Sequence, residues 1–519
     1  MHADISRATF RPDRHYAAVV AQQGRVQLDA DVNEQAAIEL ARARALAADL
    51  IGRHGGPGGA AGFAVGLAGT GRELDDLSIG GGRYYVDGIP LDATRPGPGT
   101  PVTDDDPAAA GEDRDTPVAP AAPGAAPVWS YWDQPDGHRD PERPGDRLPS
   151  AFPYLVYLKV WERSVTSVED PLLREVALGS AVSDTAARLR TVWQVLALPG
   201  AELEVEDGAD KDRVREAFDR WAAGRAATAR LAARAERPGD ADDGPCLIRP
   251  DSRYRGPENQ LYRVEIHEGG TAGDATFVWS RENGSVALGV DAFDGTWAEL
   301  ASLGGDDRLG LQVGDWVETA DTATVSRGEP LPLLRVEELD LPQRRVRLSA
   351  EPDPSVGRDP ALRPFLRRWD HRPAPRRGGS PGRHRGALPV TEGCWLPLED
   401  GVEVWFEPGG GYRAGDYWTV AARTATGGVE WPADAARRPL LLPPSGIDVH
   451  LAPLAWVLGE GSVADLRLVF GPLASVVPAA RAHELAAERA AESPAPSFEQ
   501  EAGSPPPGSG HKDHGQSSD

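Results

Sequence analysis

Residues 22–35 read QQGRVQLDADVNEQ and mark the start of a long N-terminal α-helix. Asp31 or Asn33 is placed to cap this helix, because a short side-chain oxygen accepts a backbone N–H group that the first turn leaves unpaired. Glu34 adds negative charge in the first turn, where the helix dipole favours it. Gly52 is the expected end of the helix, since glycine commonly follows the last helical residue.

The apolar residues of this helix recur at intervals of three and four, so they form a single heptad-like stripe. The stripe consists of Val32, Ala36, Leu40, Ala43, Ala47 and Leu50. Two interpretations remain open. Either the stripe packs the helix against its own domain, or residues 1–52 are a docking element for another protein.

Composition narrows the class of protein. The chain has 519 residues, a hydrophobic content of 40% and a formal net charge of −25, enough for two to four domains with sizeable cores. A field of this sign repels phosphate backbones, so we expect no nucleic-acid partner. We find neither a signal-peptide pattern nor an apolar run of about 20 residues that spans a bilayer. We therefore expect synthesis in the cytoplasm.

The body of the chain is β-like. Residues 154–161 are almost continuously apolar, as in a strand buried on both faces, and residues 261–267 alternate as in a half-buried strand. Asp87 and Gly88 are a typical turn pair between the two strands of a hairpin. The predicted fold class is mainly β, with β-sandwich-like or barrel-like modules, a long N-terminal α-helix and a helical insertion.

Shifts in composition divide the chain into five predicted segments. Residues 93–150 are rich in Pro, Ala, Gly and Asp and are expected to be mostly disordered. The segments are 1–92 with helix, hairpin and docking region; the linker 93–150; a β domain 151–365 with a helical insertion at about 199–246; a second β domain 366–475; and a short helix with a disordered tail, 476–519.

Several blocks of the chain resemble an uncharacterised bacterial family found in gene clusters of phage-tail-like extracellular contractile injection systems. The first block comprises Asp4-Ile5-Ser6-Arg7, Phe10, His15-Tyr16 and residues 22–35, and it also resembles baseplate-attachment segments of tail fibres. The later blocks are residues 160–166, 174–179, 258–267, 277–284, 415–420 and 430–432. Val32 departs from the family pattern, which has Trp there, and Val449 stands where the family tends to have His.

The resemblance implies a structural subunit, associated with a baseplate or a fibre, that enters a released particle. Its expected partners are other subunits of the particle, and homo-oligomerisation is left open. The residues expected to make the docking contact are Gln22, Gln23, Gly24, Arg25, Asp29, Asp31, Asn33 and Glu34.

Motifs for catalysis or for metal binding are incomplete. Asp29, Asp31 and Asn33 match the first three ligand positions of a calcium loop, but Glu34 and Leu40 stand where the loop needs Gly and Glu. His54 begins a Gly-rich stretch like the oxyanion loop of some hydrolases, whereas the only G-x-S-x-G-like string near the folded region, at 378–382, follows no strand. We therefore predict no enzyme activity, no catalytic residues, no metal and no cofactor.

Carboxylates near aromatic residues leave one alternative function. Asp133, Glu162, Glu265 and Glu282 are placed as a sugar site arranges its acids, although polar residues at the rims of aromatic strands give the same pattern. The alternative is a carbohydrate-binding or carbohydrate-cleaving β protein that recognises a target envelope.

Overall fold

Strands dominate the computed structural model, which confirms the expectation of a mainly β chain. It describes residues 2–68, 76–97, 128–178, 184–205, 208–235, 253–304, 308–357, 359–372, 386–459 and 461–471. The predicted disorder at 98–127, most of the basic loop 371–386 and the predicted tail 476–519 lie outside these residues.

The α-helices of the described residues are α1 Asp29–Ile51, α2 Lys211–Ala223 and α3 Thr322–Arg327. The strands are β1 His54–Pro57, β2 Val65–Ala68, β3 Asp76–Ile79, β4 Arg83–Val86, β5 Ile89–Asp92, β6 Trp129–Ser130, β7 Tyr154–Val165, β8 Arg188–Pro199, β9 Leu231–Arg234, β10 Gln260–Glu268, β11 Thr276–Ser280, β12 Ala287–Asp294, β13 Trp297–Leu300, β14 Trp316–Ala320, β15 Leu334–Asp340, β16 Arg345–Leu348, β17 Phe365–Trp369, β18 Leu388–Pro389, β19 Trp395–Pro397, β20 Glu403–Phe406, β21 Tyr417–Arg423, β22 Gly428–Glu430, β23 His450–Gly459, β24 Ser462–Asp465 and β25 Val469–Phe470.

These strands form a closed barrel and several small sheets. The barrel has the order β12-β13-β16-β15-β14-β17 and encloses its own apolar core. The sheets have the orders β25-β1-β4-β5, β24-β23-β7-β8, β18-β11-β10-β21-β22, β19-β20-β9 and β2-β3-β6.

The central strand β7 shows how the layers meet. It is antiparallel to β8 on one side and to β23 on the other. Val156, Leu158 and Val160 point into a core shared with the N-terminal hairpins, whereas Leu155 packs with Phe218 of α2 on the opposite face. The continuous apolar run therefore belongs to a strand that is covered on both sides, as its sequence predicts.

The predicted domain boundaries do not separate these sheets. β1 pairs with β25, β7 with β23 and β10 with β21, so each predicted domain supplies strands to a sheet of another. The boundary at 365 falls at the first residue of β17. Residues 1–470 form one compact unit, because strands that pair with each other come from distant parts of the chain. Gly471–Asp519 is a second unit, of which the structure describes only Gly471.

Two further segment predictions are wrong in part. Residues 128–150 are not a disordered linker, since Tyr131 is buried. The side-chain amide of Gln134 also donates to the Val195 carbonyl and accepts from the Val195 N–H. In the expected helical insertion at 199–246, α2 ends at Ala223 and Leu231–Arg234 pairs with β20 as a strand. Its Ala-rich composition permits either structure, and the neighbouring strand decides.

The hairpin at Asp87-Gly88 is confirmed. β4 and β5 pair from Arg83↔Asp92 to Val86↔Ile89, and both turn residues have positive φ, as this type of two-residue turn requires. None of the helices in the described ranges combines the length and apolar content that a membrane span needs.

Candidate functional site

The N-terminal segment is fixed to the β body at its first residues. The backbone N–H of His2 donates to the Ser164 hydroxyl over 2.7 Å, and this hydroxyl donates back to the His2 carbonyl over 3.0 Å. The side-chain amide of Asn283 donates to the carbonyl of Ala3 over 2.8 Å. Residues 2 and 3 are therefore held by β7 and by the turn after β11.

A buried charged cluster lies under this anchor. Nε2 of His2 lies 2.9 Å from a carboxylate oxygen of Glu265, which also accepts from Nε of Arg263 over 2.5 Å. The guanidinium of Arg263 stacks 3.5 Å from the ring centre of Tyr417. Burial alone would raise the pKa of Glu265, but Arg263, His2 and Arg367 together outweigh it and hold this pKa well below its usual range.

The cluster corrects the prediction for β10. Its alternation of apolar and charged residues is typical of a strand with one face in water, yet Arg263 and His267 are buried and Glu265 is largely covered. His2 covers this face from a position more than 260 residues away in sequence. The alternation of residues within β10 cannot reveal a contact with a residue so distant in sequence.

From the anchor, the N-terminal segment runs to the start of α1 and then beside it. Asp29 accepts from the backbone N–H and the hydroxyl of Ser6, at 2.8 and 2.7 Å, and Glu34 accepts from the Thr9 hydroxyl at 2.6 Å. Further along, the Gln35 side chain accepts from the N–H of Val19 over 2.7 Å, and Arg42 donates to the carbonyl of Ala17 over 3.1 Å. Segment and helix therefore form one layer.

The residues predicted to dock are in this layer, in two groups with different roles. Gln22, Gln23, Gly24 and Arg25 form an exposed turn that is closed by the bond from the Arg25 N–H to the Gln22 carbonyl, 3.2 Å long. Asp29 and Glu34 instead hold the N-terminal segment, so they are structural supports of the surface.

The start of α1 differs from the prediction. The helix begins at Asp29, four residues before Asn33, so Asn33 is an exposed position inside the helix and caps nothing. Asp31 is the third helical residue, and its carboxylate accepts the N–H of Leu28 over 3.1 Å. Leu28 is at the cap position and has no side-chain acceptor, so this contact stabilises the turn before the helix.

Small side chains allow α1 to lie close to the β body. Ala30 and Ile38 are its fully buried residues, and Ala37, Ala41 and Ala48 on the same side are partly covered. At Gly88, in the turn between β4 and β5, an added Cβ would lie 2.2 Å from the carbonyl oxygen of Arg44. Backbone meets backbone at this point, and no larger side chain fits between them.

The larger apolar side chains of α1 point outward. Val32 is 52% exposed, Leu40 42%, Leu46 62% and Leu50 57%. Val32, Leu40 and Leu50 belong to the predicted stripe, and Leu46, which the prediction did not include, points the same way. The predicted stripe therefore does not pack the helix onto its own domain. The interpretation of α1 as a helix docked through this stripe is wrong.

The segment before α1 extends this exposed apolar region. Among the described residues, eight of the nineteen exposed large apolar side chains lie between residues 16 and 50. We call them the N-terminal apolar surface: Tyr16, Val20, Val26, Leu28, Val32, Leu40, Leu46 and Leu50. Single exposed apolar residues are normal, whereas a concentration of them in one helix and the segment that lies along it is typical of an interaction site.

A separate polar cleft of ≈160 Å³ lies behind α1. Arg44 and Glu162 pair on its wall over 2.6 Å, and Nδ1 of His450 lies 2.8 Å from a carboxylate oxygen of Asp87. Asp448 and Tyr417 also line the cleft. Sequence reasoning missed Asp448 and His450, since neither belongs to a chemical motif.

The sequence model of one family matches residues 1–95 and 204–509. The chain belongs to the Family of unknown function (DUF6519). The DUF6519 match contains the whole N-terminal apolar surface, together with Arg44, Asp448 and His450 of the cleft. Glu162 lies in the unmatched part. No curated protein and no solved structure matches the chain.

The four carboxylates considered for sugar chemistry each bind a different arginine in this DUF6519 chain. Asp133 pairs with Arg95 over 2.6 Å, Glu162 with Arg44, Glu265 with Arg263, and Glu282 with Arg308 over 3.2 Å. Glu265 is largely covered and is paired with His2, whereas Glu162 lines the cleft. Of these four acids, the cleft is lined by Glu162 alone.

The remaining motifs are placed as follows. His54 is the first residue of β1, and Nδ1 of its buried ring lies 3.1 Å from the Tyr84 hydroxyl, so the Gly-rich stretch is a strand and not an oxyanion loop. The string at 378–382 lies outside the described residues. Within the described ranges, no three His, Cys, Asp or Glu side chains are grouped as metal ligands.

Proposed function

We propose that this protein is a structural subunit of a phage-tail-like contractile injection particle, associated with the baseplate or with a fibre. It is synthesised in the cytoplasm and enters the particle through its N-terminal apolar surface. The observation that carries the proposal is the outward stripe of α1. The gene-cluster context comes from the resemblance of residues 22–35 and the later blocks.

Energetics support the use of this surface as an interface. Fully burying one Leu or Val side chain contributes about 1.5–3 kcal/mol. Val32, Leu40, Leu46 and Leu50 are about half exposed, so each supplies roughly half of this value when a partner covers it. That gain is offset in part by the entropy of association. The stripe is held by the short contacts of α1 with Gly88 and with the N-terminal segment, so little further ordering is needed on binding.

The test uses a point substitution, because removing residues 1–52 would also uncover Glu265 and Ser164. Leu46→Asp places a charge among the outward apolar side chains of α1, at the most exposed of its leucines, without touching the β body. Leu172→Asp is the matched control, since Leu172 is 61% exposed and lies outside the surface. Each variant replaces the wild-type chain in cells that carry the gene cluster, and purified particles are probed for the protein.

We expect Leu46→Asp to be absent from the particles and Leu172→Asp to be present at the wild-type level. Circular dichroism of both soluble variants checks that they remain folded. Incorporation of Leu46→Asp at the wild-type level contradicts the proposal.

The polar cleft favours a second candidate function, recognition of a carbohydrate on the target envelope. Glu162, Asp448, His450 and Tyr417 supply hydrogen-bonding groups and one aromatic ring around a ≈160 Å³ space, as sugar sites do. A glycan array with the wild type and with Asp448→Asn tests it. Binding of a glycan by the wild type that Asp448→Asn abolishes supports this function. An array on which the wild type binds no glycan contradicts it.

A further inference from the structure

The outward face of α1 is complementary to itself when two helices lie antiparallel. Its outward positions follow a heptad pattern in which Ala36, Ala43 and Leu50 form one row, and Val32, Glu39 and Leu46 form the adjacent row; all of these except Glu39 are apolar. Aligned antiparallel about Ala41, each position of one row faces a position of the other row on the second helix. A single face thus supplies both halves of a two-fold symmetric contact.

The sizes of the facing side chains match in this alignment. Val32 faces Leu50 of the second copy, and Ala36 faces Leu46 of the second copy. Each large side chain thus meets a smaller one, the condition for close packing without voids. The central layer places Glu39 opposite Ala43, where the carboxylate has room to turn toward the edge of the helix pair.

The charges of α1 select the antiparallel direction. The first half of the helix carries Asp29, Asp31, Glu34 and Glu39, and the second half carries Arg42, Arg44 and, near its end, Asp49. In a parallel pair the two Glu39 carboxylates would meet within the apolar seam. In the antiparallel pair Glu39 lies beside Arg42 of the second copy, twice by symmetry, and opposite charges at such flanking positions set partner and orientation.

The geometry points to a second copy of this chain as the partner of the outward face of α1, paired antiparallel through Val32, Leu46 and Leu50 and selected by Glu39 and Arg42. This inference rests on the proposed function and deepens it, because it names what covers the stripe. Tyr16, Val20 and Val26 then flank the paired helices and remain for a neighbouring subunit.

A charge-exchange experiment tests the pair in the purified full-length protein. Glu39→Arg places two arginines at each contact, and Arg42→Glu places two glutamates there, so each variant alone repels its own copy. Both residues are exposed on α1, and their remaining contacts are with Gln35 and with the Ala17 carbonyl. The mass of each species is measured by light scattering coupled to size exclusion at micromolar concentration.

We expect the wild type to be dimeric and each single variant to be monomeric. An equimolar mixture of Glu39→Arg and Arg42→Glu should form a heterodimer, since every contact then joins opposite charges, and the double variant in one chain should again be a homodimer. A monomeric or trimeric wild type overturns the inference, and so does a mixture that stays monomeric.

Cysteine cross-linking tests the direction of the helices. In a background with Cys246 and Cys394 replaced by serine, Val32→Cys combined with Leu50→Cys should form disulfides between two chains. Val32→Cys alone should form none, because 18 residues of helix, about 27 Å, separate it from the equivalent residue of the second copy. Efficient cross-linking of the single variant would establish a parallel pair and overturn the antiparallel assignment.

The two proposals fail in different ways. If the wild-type protein is monomeric and Leu46→Asp is still excluded from particles, the self-pairing is contradicted and the proposed function is supported. If the wild type is dimeric and the monomeric Leu46→Asp variant enters particles normally, the proposed function is contradicted and the self-pairing is supported.

Discussion

Arg44 of α1 donates a hydrogen bond of 2.6 Å to Glu162 of β7, which is 118 residues away in the chain. Glu162 also accepts from the Thr191 hydroxyl of β8 over 3.3 Å. One carboxylate thereby joins the N-terminal helix to two adjacent strands of a central sheet. The inner face of α1 has few large apolar residues, so polar contacts of this kind have an unusual share in fixing it.

Replacing Arg44 by Gln should loosen α1 while leaving the β body folded. The ion pair is partly exposed, so we expect a loss of about 1 kcal/mol in the free energy of unfolding. Arg225→Gln is the control, because Arg225 pairs with Glu202 where both side chains are about half exposed. Hydrogen exchange should accelerate in residues 29–51 of the Arg44 variant and stay unchanged there in the control.

The orientation of α1 predicts opposite sensitivities on its two faces. Ile38→Ala should cost about 2–5 kcal/mol of stability because Ile38 is buried against the body. Leu46→Ala should cost less than about 0.5 kcal/mol, as exposed substitutions usually do. Chemical denaturation well below micromolar protein, where self-association contributes nothing, measures both. Equal losses in the two variants would show that the outward orientation is wrong.

The close approach at Gly88 predicts a large effect from one methyl group. Gly88→Ala requires φ +79 of an L-residue and places Cβ against the Arg44 carbonyl, so we expect a loss of more than about 2 kcal/mol. Gly24→Ala has nearly the same φ, +71, but nothing lies within 4 Å of its Cβ, so only the backbone strain of about 1–2 kcal/mol remains. Thermal unfolding of both variants compares them. A smaller loss at Gly88 than at Gly24 contradicts the contact.

The anchor at His2 should weaken as the solution becomes acidic. Burial, followed by the charge of Arg263, lowers the pKa of His2 in the folded protein below its usual 6.5. The released segment therefore takes up a proton more readily than the docked one, and the docking free energy is fully present above about pH 6.5 and lost as the pH falls below it.

Hydrogen exchange in residues 2–10, measured about one pH unit above and one below 6.5 and corrected for intrinsic rates, tests this anchor. Protection should fall at the lower pH in the wild type. His2→Gln keeps a donor for Glu265 but does not titrate in this range, so its protection should be independent of pH. A pH dependence that persists in His2→Gln would assign the effect to another group.

Features of the fold that are decided by residues close together in the sequence could be predicted from it. The Asp87-Gly88 turn is decided by which residues tolerate positive φ, and the run 154–161 is decided by burial on both faces. β1 escaped this reasoning, because His54-Gly55-Gly56 has the composition of a turn and becomes a strand only through its neighbours β4 and β25.

The candidate site divides in the same way. The stripe of α1 follows from periodicity, but periodicity does not tell which side of a helix faces the body. That choice depends on Gly88, which admits the helix backbone and leaves no space for leucine side chains. Likewise, the charged residues of β10 predict a solvent-exposed face, and only the position of His2 in the fold shows that this face is covered.

The parallel pairing of β1 with β25 has a consequence for biosynthesis. Gly56 and Pro57 are opposite Val469 and Phe470, so the first sheet of the protein is completed only when almost all of the compact unit has left the ribosome. Folding that depends on such distant pairings is slow. During translation, α1 and its outward leucines therefore leave the ribosome long before the strand that completes the sheet beside them is synthesised.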